Sequence, residues 1–216
     1  MKLEFAFPQT LLAALLLGAA GVASAQSPEI EPGFYVGALA GGANYPGRPL
    51  IIVGSNTLFS QDRHEQDVSW GFVGGYRFGR HFAIEAGYRD LGEAKAELAD
   101  AANTIHAKLR FSARGATVAA VGLFPFGPRW EMFIKGGALY QNVDFHLDGT
   151  QSGAPFALSS SLKNDDTLYL EGGVSYRLDS HLKANLGLSD FPNIGKRKKT
   201  GEADVRSTFL GISYQF

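Results

Sequence analysis

The sequence predicts an all-β protein, a transmembrane eight-stranded antiparallel up-and-down β-barrel that follows a cleaved signal peptide. Three observations support this prediction. The chain begins with an apolar leader, the rest of it contains eight runs in which side chains alternate with a period of two, and those runs have glycines on one face and aromatics on the other. Period-two alternation is typical of strands, and an aromatic outer face is typical of membrane barrels.

The leader has the composition of a signal peptide. Lys2 supplies a positive start, an apolar run follows, and Ala23 and Ala25 give the A-x-A pattern that signal peptidase cuts. We therefore expect residues 1–25 to be a signal peptide and residues 26–216 to be the barrel domain. The alternative is an N-terminal membrane anchor, which needs about 20 apolar residues, more than this run offers.

Composition narrows the classes of function. The chain has no cysteine, so no disulfide framework stabilises it, and its formal net charge of −1 argues against a general nucleic-acid binder. After the leader, no run approaches the ~18 uninterrupted apolar residues that indicate a transmembrane helix. Strands are therefore the elements expected to cross the membrane.

Eight strands are predicted, joined alternately by short turns and long loops. In one run, Trp70 and Phe72 share a face while Gly71 and Arg77 share the other. The predicted strands are 33–45, 68–78, 82–92, 104–126, 130–141, 167–178, 182–190 and 205–216. The predicted short turns are 79–81, 127–129 and 179–181, and the predicted long polar loops are 46–67, 93–103, 142–166 and 191–204. Turns at one end and loops at the other indicate a meander. Its last strand must pair with its first, because in lipid the backbone N–H and C=O groups of an open edge would have no hydrogen-bond partners.

The glycines indicate which face points outward. Nine of them fall on the less apolar face: Gly37, Gly41, Gly71, Gly75, Gly87, Gly137, Gly173, Gly187 and Gly211. In a soluble sandwich, the alternative fold, this face would meet water and would gain nothing from residues that weaken strands. The interior of an eight-stranded barrel barely admits side chains, so small residues there make room for a few large ones. The aromatics of the other face then form girdles at the membrane interfaces.

Three segments resemble a known family. They are GFYVGALAGGANY in the first predicted strand, FAIEAGYRDLGEA in the third and TGEADVRSTFLGISYQF in the last. With them, the chain resembles the small OmpA/OmpX-type outer-membrane β-barrel protein family of Gram-negative bacteria over essentially all of residues 26–216. The resemblance identifies the barrel and not its task. Leu39 stands where the first strand of OmpA places an inward lysine, and no peptidoglycan-binding domain is expected after Phe216.

The resemblance implies a location and partners. The location is the cell outer membrane, where outer-membrane lipids and lipopolysaccharide surround the barrel, and the partners are the barrel-assembly machinery and periplasmic chaperones. Tyr214 and Phe216 lie on the outward face of the last strand and resemble the C-terminal assembly signal of such barrels. The short turns are then expected in the periplasm and the long loops outside the cell.

Three charged residues are expected deep inside the barrel. Glu85, Lys135 and Glu171 lie about 5–8 residues from a short turn, which at ~3.3 Å per residue and a tilt near 45° places them ~12–19 Å into the membrane. Buried charges need partners, and Lys135 is the first candidate for Glu85. The network is interpreted as a salt-bridged plug that fixes register, with a gate or proton path as the alternative.

Further inward charges lie closer to the short turns. They are Arg77, Glu131, Arg177 and Lys183. Arg77 and Arg177 are included in the predicted lumen charge network. All four are expected to be hydrated because they lie near the barrel rim.

One dense basic run falls in the fourth long loop. Lys196, Arg197, Lys198 and Lys199 follow Gly195. Clustered cations collect phosphate and sulfate, so this run is a candidate polyanion-binding loop for lipopolysaccharide or a host ligand. The alternative is an ordinary solvated loop.

No catalytic, metal or cofactor site is predicted. The five histidines form no H-x-x-x-H or H-E-x-x-H pattern, and the adjacent Asp179, Ser180 and His181 cannot aim at one another as a triad requires. We therefore predict a structural or interaction barrel whose loops serve envelope integrity, adhesion or contact with a host or surface ligand. The alternatives are a lipid A-modifying acyl hydrolase or transferase and a narrow small-solute pore.

Overall fold

A computed structural model of the chain describes residues 32–45, 51–53, 56–64, 66–99, 105–151, 153–196 and 201–216. The predicted signal peptide lies outside these residues. The strands are β1 Gly33–Asn44, β2 Ile51–Val53, β3 Asn56–His64, β4 Gln66–Arg77, β5 Phe82–Ala99, β6 Ile105–Pro125, β7 Trp130–Gln151, β8 Ala154–Arg177, β9 Leu182–Lys196 and β10 Gly201–Gln215. In this part of the chain, no helix is long and apolar enough to cross a membrane.

Eight of the strands close into a ring. The antiparallel order is β1, β4, β5, β6, β7, β8, β9 and β10, and β10 pairs again with β1 from Tyr35↔Gln215 to Asn44↔Arg206. This confirms the predicted all-β, eight-stranded, antiparallel barrel. Two strands were not predicted: β2 and β3 form a hairpin, and β3 pairs with residues 95–99 of β5.

The three short turns lie where the sequence predicts them, and we call this end of the barrel the turn end. The opposite end is called the far end. In the turn between β8 and β9, Asp179 Oδ1 accepts hydrogen bonds from the backbone N–H groups of His181 and Leu182, both at 2.8 Å. These two bonds hold the pKa of the Asp179 carboxyl below its ordinary value.

The predicted long loops prove to be largely strand. Residues 93–99, 142–151, 154–166 and 191–196 all continue the sheet. The outward side chains become polar there, which ends the apolar band but not the backbone ladder. Polar pairs also stabilise neighbouring strands, and Lys108 Nζ lies 3.2 Å from Glu97 Oε1 across β5 and β6. The loss of hydrophobicity was therefore wrongly interpreted as the end of the strands.

The outward face is apolar and aromatic, as predicted. Leu168 and Leu210 are 74% and 67% exposed, a degree of apolar exposure that fits a surface in contact with lipid. Neighbouring rings with centroids 4.8 to 5.6 Å apart surround the turn end, in the pairs Phe34–Tyr76, Phe78–Phe82, Trp130–Tyr176 and Tyr214–Phe216. At the far end, Trp70 contacts Tyr88 at 5.9 Å. The two groups match the girdles of a membrane barrel.

Two glycines show why the inward face needs small residues. A Cβ atom on Gly41 would lie 2.0 Å from the Thr208 carbonyl oxygen, and one on Gly173 would lie 2.1 Å from that of Leu186. Backbone cannot give way by that much, so glycine is required where these strands approach each other.

Pairing between β8 and β9 stops before either strand ends. The last pair is Leu170↔Asp190. Pro192 has no N–H to donate, and Asn193 adopts a positive φ of 55°, so β9 turns away from β8. Thr167 Oγ1 donates to the Pro192 carbonyl at 2.5 Å, and this hydrogen bond links β8 to β9 at the point where the two strands separate. Within the described residues, the 154–168 part of β8 therefore pairs only with β7, as half of a projecting hairpin.

Candidate functional site

The candidate site is a central charge network inside the barrel, formed by Glu85, Arg89, Lys135 and Glu171. Strand alternation directs all four side chains inward from β5, β7 and β8. Lys135 and Glu171 are also direct partners in the β7–β8 register. Each of the four is buried, with no more than 8% of its surface exposed. The fold therefore places two carboxylates and two cations together in the interior.

Lys135 lies at the centre of this network. Its Nζ is 2.8 Å from Glu85 Oε2 and 2.9 Å from Glu171 Oε1. Arg89 Nη2 pairs with the other oxygen of Glu171. The network is electrically neutral, and each charge has at least one opposite charge in direct contact. Such pairing is what makes a buried charge tolerable.

Neutral groups complete the shell around the carboxylates. The Tyr35 hydroxyl donates to Glu85 Oε1 at 2.7 Å, and Ser189 Oγ donates to Glu171 Oε2 at 2.9 Å. The Arg89 guanidinium lies over the Phe209 ring, 5.2 Å from its centroid. These contacts restrict the charged side chains, so the arrangement is suited to a rigid plug.

A second cluster, formed by Arg77, Glu131 and Lys183, lies nearer the turn end. Arg77 binds the Glu131 carboxylate through both terminal nitrogens, at 3.1 and 2.6 Å, and Lys183 Nζ lies 3.2 Å from Glu131 Oε1. Arg77 also donates to the carbonyls of Gly79 and Arg80, at 2.7 and 2.8 Å. We call this group the turn-end cluster.

The turn-end cluster corrects the expectation that these charges are hydrated. Arg77 is only 2% exposed and Glu131 only 6%. The short turn folds its carbonyls over the Arg77 guanidinium, so proximity to the rim does not expose it. Arg177 does not join this network by direct contact: it is half-buried, and none of the ion pairs among the described residues includes it.

A cavity borders both groups, and an apolar layer closes the barrel on the far side of the central network. The cavity, of about 70 Å³, is lined by both groups, including Glu85, Lys135 and Lys183. On the far side of the central network, the Tyr169 and Phe191 rings stack with centroids 5.0 Å apart. They belong to a buried cluster that also contains Leu91, Phe111, Leu139, Val143 and Leu162. Charge and apolar packing thus fill successive levels of the interior.

A family model for the OmpA-like transmembrane domain matches residues 29–216. The chain belongs to this family. It is therefore a β-barrel of the cell outer membrane, and its apolar outward face and closed ring fit a membrane-spanning barrel. No curated protein sequence matches the chain.

Several solved structures resemble this OmpA-like domain at low sequence identity. Neisserial surface protein A is 17% identical, with a TM-score of 0.47 and coverage of 87% of this chain and 100% of its own. OprG from Pseudomonas aeruginosa is 12% identical, with a TM-score of 0.46 and coverage of 89% and 99%. Ail from Yersinia pestis, solved in complex with the heparin analogue sucrose octasulfate, is 10% identical, with a TM-score of 0.44 and coverage of 85% and 99%.

The proposed assembly residues of this OmpA-like domain lie on the outward face at the turn end. Tyr214 and Phe216 are 43% and 72% exposed, and the Phe216 N–H donates to the Phe34 carbonyl at 2.9 Å. The basic run lies largely outside the described residues, which omit Arg197, Lys198 and Lys199. Lys196 is the last residue of β9 and pairs with Gly201 of β10. Its role in binding a polyanion stays a prediction.

In the described part of the chain, the remaining chemistry-bearing residues form no recognisable reactive site. Among the described residues, no three His, Cys, Asp or Glu side chains form a group that could hold a metal ion. Ser180 Oγ lies 2.7 Å from His181 Nδ1, but the Asp179 carboxylate binds backbone N–H groups. The carboxylate does not orient the imidazole, which a Ser-His-Asp triad would require.

Sequence reasoning missed one member of the central network, Arg89, and one of its neutral partners, Tyr35. Arg89 and Tyr35 have the same strand parity as the inward residues Glu85 and Gly37, so their alternation gave a usable signal. Arg89 lies near the end of the predicted third strand, where a charge looks solvated. Tyr35 resembles a girdle aromatic, although its hydroxyl is directed inward to Glu85.

Proposed function

We propose that this OmpA-like domain is a closed membrane anchor that supports extended hairpins outside the outer membrane for envelope integrity or surface contact. The observation that supports it is the blocked interior. The turn-end cluster, the central charge network and the Tyr169–Phe191 layer occupy successive levels of the barrel. An open pore would need a continuous polar passage through the level of these two rings.

The charge pattern of the hairpins supports their place outside the membrane. At the far end, outward side chains of β5, β6 and β7 form ion pairs, including Lys108–Glu97 at 3.2 Å and Arg114–Asp144 at 3.9 Å. Charged side chains on the lipid face of a barrel are costly. The same hairpins bury an apolar cluster on their inner side, formed by Ala96, Leu98, Ile105, Ala107, Leu109 and Leu147. They are therefore suited to stand as folded structure in water.

No specific observation favours either alternative function. A lipid A-modifying enzyme would need a nucleophile, a base and a carboxylate in mutual hydrogen-bond reach. At the far end, His146 Nδ1 instead contacts the backbone carbonyl of Phe145 at 2.8 Å. The pore alternative conflicts with the filled interior.

Purified protein in a planar lipid bilayer is expected to show no steady conductance above that of the lipid. The reason is that the Tyr169–Phe191 layer and the central network leave ions no hydrated path. A variant with Leu139, Tyr169 and Phe191 all changed to Ser is the control, because it thins the apolar layer and should conduct. Stable single-channel steps in the unmodified protein would contradict the closed anchor and favour a pore.

We also infer that residues 1–25 direct export and that Phe216 promotes assembly of the barrel. Changing Phe216 to Asp is expected to lower the amount of heat-modifiable barrel in the outer membrane several-fold. Phe78→Asp is the matched control, because Phe78 is also an exposed aromatic of the turn-end girdle, at 52% against 72% for Phe216. Equal losses in both variants would assign the effect to the girdle and not to an assembly signal.

A further inference from the structure

The turn-end cluster carries one more positive charge than negative. Arg77 and Lys183 share the single carboxylate of Glu131, whereas the central network balances two cations with two carboxylates. Arg77 has further acceptors in two turn carbonyls. The surplus cation is therefore Lys183.

Lys183 is under-partnered for a cation in this setting. Its side chain is only 14% exposed, yet the one hydrogen-bond acceptor that it meets within the described part of the chain is Glu131 Oε1, at 3.2 Å. An ammonium group has three N–H donors. Because Arg77 shares that carboxylate, a charge so little exposed calls for a second anionic partner.

Hydroxyl and amide groups beside Lys183 extend the donor set. Ser213 is the direct partner of Lys183 in the β9–β10 register. Ser175 Oγ donates to Asn185 Oδ1 at 2.7 Å, and Asn185 Nδ2 donates to Ser213 Oγ at 3.2 Å. Because the Ser213 oxygen accepts from Asn185, the Ser213 hydrogen is left to donate to another group.

These donors border the cavity, which has room for a ligand. Lys183, Asn185 and Ser213 all line it, and so do Gly37 and Gly211, which have no side chains to fill it. Its volume of about 70 Å³ accommodates several water molecules, at roughly 10–15 Å³ of such space each. Its lining extends past the turn-end cluster to His181 and Gln215 at the turn end, so we expect a small solute to enter beside that cluster.

We propose that this cavity is a binding site for a small oxyanion of single negative charge, such as a carboxylate or dihydrogen phosphate. Lys183 supplies the balancing charge and Ser213 a neutral donor. Glu131 and Glu85 also line the cavity, and they disfavour anions of higher charge. The site goes beyond the proposed anchor function, because a closed barrel can bind an anion from one side without conducting it.

The test is titration of the refolded full chain, in uncharged detergent at constant ionic strength, with isotope-labelled formate observed by NMR line width. Saturable broadening in the millimolar range is expected. Lys183→Gln should weaken binding at least about tenfold, since charge-assisted hydrogen bonds are the strong ones. Lys183→Arg should retain binding. Lys108→Gln is the matched control, because it removes an exposed cation far from the cavity.

Two outcomes would overturn the proposal. The first is a lack of saturable broadening in the unmodified protein, which would mean that Lys183 is merely hydrated. The second is broadening in Lys183→Gln equal to that in the unmodified protein. If Lys183→Gln does not assemble, Ser213→Ala serves instead and should weaken formate binding several-fold in a folded barrel. Unchanged binding in that variant would exclude this donor set. None of these results depends on whether the barrel conducts.

Discussion

Replacing Glu171 with Gln is expected to lower the free energy of unfolding of the barrel by about 3–5 kcal/mol. Glu171 is 1% exposed, and its two oxygens contact Lys135 and Arg89. Glutamine keeps the shape but removes the negative charge, so two buried cations are left with the single carboxylate of Glu85. The loss can be measured by urea unfolding in uncharged detergent, followed by circular dichroism.

The matched control for this prediction is an ion pair on the outer surface. Glu97→Gln removes the partner of Lys108, but those side chains are 60% and 69% exposed. Water solvates both charges, so the expected loss is below about 1 kcal/mol. If Glu97→Gln and Glu171→Gln cost the same, burial does not govern the energetics of the central network.

Strand periodicity was enough to place charges inside the barrel, because alternation fixes the face of every residue. Glu85, Lys135 and Glu171 were predicted as inward from their parity and their distance from the turns. Periodicity cannot show which residues meet across the interior. Lys135 of β7 contacts Glu171 on the neighbouring strand β8. It also contacts Glu85 of β5, which lies on the other side of β6, and the separation of β5 and β7 depends on how the ring closes.

Hydropathy was a poor guide to where the strands end. It marks the limit of the membrane, whereas the ladder of backbone hydrogen bonds continues wherever neighbouring strands remain in register. Lys95 lies inside the predicted loop 93–103, yet it pairs in register with Arg110 of the predicted strand 104–126. The sequence could have predicted the point at which β9 leaves β8, since Pro192 cannot donate a backbone hydrogen bond. Only the structure shows which neighbour loses its pairing there.

Reversing the charge of Glu85 alone is expected to destabilise the barrel by at least about 3–5 kcal/mol. Glu85→Lys puts a second ammonium group beside Lys135, whose Nζ lies 2.8 Å from Glu85 Oε2, and removes the acceptor of the Tyr35 hydroxyl. Lys135→Glu is expected to be as damaging, because it sets a carboxylate directly opposite Glu171 in the β7–β8 register.

Combining Glu85→Lys with Lys135→Glu is expected to recover part of the loss and not all of it. The double variant restores an ion pair between these two positions, which should appear as a favourable coupling of about 0.5–3 kcal/mol in a double-mutant cycle. Recovery stays incomplete because the introduced glutamate still faces Glu171, which keeps only Arg89 as a cationic partner. Urea unfolding of all four proteins measures the coupling.

The exchange of Glu97 and Lys108 on the outer surface is the matched cycle, and its losses should all be small. Additive losses at Glu85 and Lys135 would show that the two residues do not stabilise each other, and complete recovery would show that Glu171 does not share Lys135.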